Sequence, residues 1–64
     1  MVKVSKNKLE IAMARACMNT KDLQEAAGMP RPTINNAISG RGVSPVTVGR
    51  IAAALGVDVT EIIE

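Results

Sequence analysis

Residues 19–38 read NTKDLQEAAGMPRPTINNAI, and this stretch decides how the rest of the chain is understood. Asn19 and Asp22 stand three apart, the spacing of a reciprocal cap at a helix start, with the carboxylate at the positive end of the dipole. Leu23, Ala26 and Ala27 follow at helical spacing and supply one apolar face. Gly28 comes where a helix needs a residue that accepts positive φ to end it. Met29 is a candidate buried plug. Pro30 and Pro32 lie at the head of a second helix, where a missing N–H costs little. Ile34, Ala37 and Ile38 repeat at i, i+3, i+4 and bury one side of that helix, while Arg31, Thr33, Asn35 and Asn36 on the other can all hydrogen-bond.

Two short helices joined tightly at a glycine, the second polar outside, make a helix-turn-helix, the arrangement that presents a helix to a DNA major groove. Outward from this pair, Asn7 with Glu10 reads as the cap of a preceding helix, whose buried stripe is Leu9, Ala12, Met13 and Ala16. Asn19 ends that helix and begins the next, a connection of one or two residues. Cys17 falls on the buried side as a small hydrophobe. Residues 39–43, SGRGV, are turn chemistry. Ser44-Pro45 starts a fourth helix, with Val48, Ile51, Ala52 and Leu55 as its apolar face and Gly56 as its stop. Asp58 and Glu61 cap a short fifth. Residues 1–6 show no helical period and read as a flexible basic arm, leaving residues 7–64 as one domain. No strand runs stand out, so the fold class is all-α, a compact five-helix bundle.

With 64 residues the chain makes one small domain, near the lower limit for a core without disulfides or metal. The apolar 47% includes no aromatic residue, so Ile, Val, Leu, Met and Ala must fill the interior. One cysteine and no histidine exclude a disulfide framework and any recognisable zinc site, and no cofactor is called for. The amino end lacks the apolar run of a signal peptide, and nothing approaches a bilayer span, so a cytoplasmic protein without membrane contact is expected. Residues 1–50 carry all eight Lys and Arg against three acids, a balance of +5, whereas residues 51–64 carry three acids and no base. One side is built to meet an anion.

From Ala12 to Ile63 the chain resembles the phage repressor and Cro (XRE) type of helix-turn-helix. Leu23, Ala27-Gly28, Thr33-Ile34, Gly40, Ile51-Ala52, Ala54-Leu55-Gly56-Val57 and Glu61-Ile62 carry the resemblance. It implies a lambda-repressor-like bundle and a small transcriptional regulator, a repressor, that binds double-stranded DNA by sequence. The recognition helix would run from about Arg31 to Ser39, with Arg31, Pro32, Thr33 and Asn36 reaching bases and Asn35 nearby. Arginine can donate twice to guanine, asparagine can pair with adenine, and a proline ring can pack on a thymine methyl. Helix amino ends and a loop cation would hold phosphate through Asn19, Thr20 and Lys21, and through Arg41, Val43, Ser44 and Thr47.

The resemblance also implies a homodimer on a DNA operator, with no small-molecule effector, in a bacterial or phage setting and associated with the nucleoid when bound. Val57, Val59, Ile62 and Ile63 are the candidate dimer surface; alternatively Ile62 and a valine close the monomer core. Three positions depart from the family pattern. Gln24 stands where a small residue is usual, Met13 and Ile38 replace an ion pair and are expected to pack together, and Pro30 replaces a hydroxyl cap. The competing reading is a protein-interaction module such as an antitoxin or adaptor domain. An enzyme is not expected, because the chain lacks histidine, a cysteine–base pair and a carboxylate cluster.

Overall fold

The computed structural model describes residues 2–64. In chain order the elements are β1 (Val2–Lys3), α1 (Lys6–Arg15), α2 (Thr20–Ala27), α3 (Arg31–Ile38), β2 (Gly42–Val43), α4 (Pro45–Leu55) and a single 3₁₀ turn, Val59–Glu61. The five-helix expectation is therefore corrected to four α-helices and a short antiparallel strand pair. The fifth "helix" is one turn long.

Residues 1–6 are also corrected over their described part. Val2 and Lys3 pair antiparallel with Val43 and Gly42. Val4 bridges Ile63 and is completely buried. The stretch Val2-Lys3-Val4-Ser5 alternates apolar and polar, a strand period short enough to pass for irregular chain. This pairing sets Ser5 in extended backbone, so Ser5 rather than Asn7 caps α1, its Oγ accepting from the Lys8 N–H at 3.4 Å. Met1 lies outside the described residues.

All four helices end on the same pair of bonds, in which the N–H two residues past the last helical turn reaches back over the turn. The pairs are Cys17 to Ala14 with Met18 to Met13, Gly28 to Glu25 with Met29 to Gln24, Gly40 to Ala37 with Arg41 to Asn36, and Gly56 to Ala53 with Val57 to Ala52. Three of them use a glycine in the left-handed region; α1 uses Cys17, at φ 56°. Cys17 is exposed, not on a buried helix face, and residues 16–19 form a longer connection than expected.

The core draws on every part of the chain. Leu9, Leu23, Ile34, Ile51, Ile62 and Val4 are its fully buried large side chains, with Ala12, Met29, Ala37, Val43, Val48, Ala52 and Leu55 around them. Met29 is the buried plug between α2 and α3, whereas Ala26 faces solvent. Met13 and Ile38 both lie half-buried against this core, on helices that touch. Gln24 is half-buried, and no fully buried side-chain polar atom among the described residues lacks a partner, so its amide escapes the helix crossing to solvent. Ile62 closes the monomer core, while Val59 and Ile63 remain partly open.

Candidate nucleic-acid interface

The α2–α3 corner is built by local chemistry. Asn19 Oδ1 accepts from the Asp22 N–H at 2.8 Å, and Asp22 Oδ2 accepts from the Asn19 N–H at 3.3 Å. Gly28 stops α2 at φ 66° and ψ 37°, a conformation that places a strain on any side chain bearing a Cβ. Pro30 then stands in extended backbone at ψ 150° and opens α3 without a side-chain cap. The missing cap costs less than usual because Pro32, in the first turn, has no N–H to satisfy.

With Ile34 and Ala37 fully buried, α3 has one orientation available. Its opposite side carries Arg31, Pro32, Asn35 and Asn36, all exposed, in two adjacent i, i+4 rows. Thr33 sits at the edge of that surface and is half-buried. Among the described residues no hydrogen bond or ion pair ties up the side chains of Arg31, Asn35 or Asn36. The bonds at Asn36 go to its carbonyl, which accepts from Ser39 Oγ and the Arg41 N–H. Donors and acceptors on this face are thus free for a partner.

The expected phosphate-facing groups divide into two sets. At α2, capping uses the N–H groups of Asn19 and Asp22, and the first intrahelical bond is Leu23 to Asn19. The N–H groups of Thr20 and Lys21 are left without an intrahelical acceptor. At α4, Ser44 Oγ accepts from the Thr47 N–H at 3.2 Å and lies 2.8 Å from Thr47 Oγ1. Pro45 has no N–H, so the free amide of that turn belongs to Val46, which lies within the stretch 43–47 expected to face phosphate. A residue between an N1 proline and a capped N3 keeps its N–H by elimination. Val43 is buried and lies opposite Val2 in the strand pair, leaving no open side chain to touch a ligand. Arg41 is exposed in the loop between α3 and β2.

The described residues hold one ion pair, Arg15 to Glu61 at 3.5 Å, well away in sequence from these groups. Lys21, Arg31 and Arg41 therefore keep their charge uncompensated by a close carboxylate. Asp58, at the far end of the chain, has its carboxyl held below the usual range by the Thr60 hydroxyl and then by the Thr60 N–H. Among the described residues no three His, Cys, Asp or Glu side chains gather where they could hold a metal, and no helix is long and apolar enough to cross a membrane.

A family profile for the Cro/C1-type helix-turn-helix DNA-binding domain matches residues 8–64. No curated protein is a significant match. Among solved structures, the chain is similar to the transcriptional regulator VanUg, at 30% identity and TM-score 0.83, covering 98% of this chain and 84% of that one. It is also similar in fold to the restriction-modification controller protein C.AhdI from Aeromonas hydrophila, at 23% identity and TM-score 0.76, covering 88% of this chain and 86% of that one. The chain belongs to the Cro/C1-type helix-turn-helix DNA-binding domains.

Proposed function

We propose that this domain reads a short double-stranded operator by laying α3 in the major groove, and that it acts as a repressor by occupying that site. One observation carries the reading: the outward face of α3 holds an arginine and two asparagines that are exposed and unpartnered. Asparagine is a poor helix former, and two in succession in mid-helix cost stability that a solvated surface would avoid with Glu, Lys or Ala. Arg31 and Asn36 read bases, with Pro32, Thr33 and Asn35 beside them. The Thr20 and Lys21 amides, the Lys21 and Arg41 side chains, and the α4 start at Ser44, Val46 and Thr47 hold phosphate.

The domain binds as a two-fold homodimer. Val59 and Ile63 line an apolar hollow of about 120 Å³ together with Val2, Pro45 and Val48, which favours an apolar contact on this side. The same hollow is what an antitoxin-like or adaptor module would use. The two readings separate in a salt titration of duplex binding. DNA reading predicts affinity that falls steeply with ionic strength as counterions are released. Arg31→Ala and Asn36→Ala change the ranking of duplex sequences, at about 1–3 kcal/mol for each base contact, whereas Lys21→Ala and Arg41→Ala weaken all sequences alike. If both classes of variant behave alike, the assignment of roles is wrong.

A further inference from the structure

β1 lies between two partners. On one edge Val2 and Lys3 pair with Val43 and Gly42. On the other, the Ser5 N–H donates to the Ile62 carbonyl at 2.7 Å and the Glu64 N–H to the Lys3 carbonyl at 3.2 Å. The first of these edges is β2, the two residues between Arg41 and Ser44, both of which the proposed function puts against phosphate. The loop holding them contains Gly40 and Gly42, and its own side chains supply one hydrogen bond back to α3, from Ser39 Oγ to the Asn36 carbonyl. Just past β1, the Val4 backbone runs beside Gly40, where an added Cβ would stand 4.0 Å from the Val4 carbonyl. A two-residue strand pair does not persist by itself. Here it is anchored at each side by a buried valine, Val4 and Val43, at 0% and 5% exposure.

A glycine-bearing loop left unpaired must be ordered when it docks, and the lost chain entropy is subtracted from affinity. We infer that β1 is a positioning element for the DNA-backbone contact: its pairing with β2 holds Arg41 and the start of α4 ready for phosphate before DNA arrives. Val2 is the residue to test, because it lies opposite Val43 and is only half-buried. The inference rests on the DNA-binding reading of the same site and adds to it a segment that need not touch DNA.

The test is fluorescence anisotropy with labelled duplexes across a salt series, on the full chain. Val2→Pro removes the N–H a strand would offer, whereas Val2→Thr keeps both the N–H and β-branching. Val2→Pro should weaken binding about tenfold, the cost of ordering roughly one further loop residue on docking. All sequences should weaken alike, their ranking unchanged, and the salt slope should stay near the parent's, because the phosphate contact still forms and only the ordering of the loop is added to its cost. Val2→Thr, which also places a hydroxyl in the apolar hollow that Val2 lines but keeps the strand N–H, should lose clearly less affinity than Val2→Pro, and an equal loss overturns the inference. In an Arg41→Ala background, Val2→Pro should cost less than it does alone, because one of the contacts it prepares is already gone while those at the start of α4 remain. Parental binding by Val2→Pro, an altered sequence ranking, or full additivity with Arg41→Ala would each overturn the inference. Should Val2→Pro fail to fold by circular dichroism, Val2→Gly must show a smaller loss of the same kind, and unchanged binding overturns it. Failure of the DNA-binding reading looks different: the parent then binds no duplex in a salt-dependent way, and this inference falls with it.

Discussion

Cys17 does at the end of α1 what glycine does at the ends of the other three helices, at φ 56° where a Cβ crowds the following carbonyl. Relieving that strain gains about 1–2 kcal/mol, and the greater freedom of glycine in the unfolded chain offsets about half of it. Cys17→Gly should therefore raise the melting temperature by several degrees, while Cys17→Ala should not; a thermal melt followed by circular dichroism decides. The sequence could not disclose this residue. Cysteine is common in cores, and its place at a helical spacing beyond Met13 invited a buried reading. What put it outside is the reach of Met18 back to the Met13 carbonyl, a backbone bond that no side-chain pattern announces. At α3 the residue scale was legible. Ile34 and Ala37 are unambiguous core positions, and they force Arg31, Asn35 and Asn36 outward.

At the scale of elements, α2 and α4 were readable because each is bracketed by its own signals, a capping side chain before and a glycine after. α1 was mis-started by two residues. Asn7 and Glu10 have capping spacing, but the strand ahead of them makes Ser5 the turning point. The strands themselves were missed because two residues are too few for a period to stand out from irregular chain. What defines them is a partner distant in sequence. The α2 cap offers a check at this scale. Asn19→Ala removes one acceptor from a reciprocal pair and should cost about 1 kcal/mol of stability, measured by urea unfolding. Its duplex affinity, compared under conditions where the variant is fully folded, should fall by less than that of Lys21→Ala, since the Thr20 and Lys21 amides remain.

The molecule as a whole is closed by its ends. Val4 and Ile62 are both fully buried, and the carboxyl-terminal residues pair with β1. Ile62→Ala should cost about 2–5 kcal/mol, which is most of what a core this size supplies, so the variant should be largely unfolded at 37 °C by circular dichroism. Asp58 gives this end an acid response. Its carboxyl is held below the usual range by Thr60, so its contribution to folding is present above the unfolded carboxylate pKa and is lost as pH falls through the depressed folded value. Thr60→Val should return that titration toward the ordinary range, as followed by NMR of the Asp58 carboxyl. The central claim, that the outer face of α3 reads duplex sequence, is tested most directly by selecting bound duplexes from a random pool at fixed salt. The account predicts a short two-fold consensus with half-sites about 34–36 Å apart, altered at a defined base by Arg31→Ala. A pool that stays random while binding remains salt-dependent would contradict it.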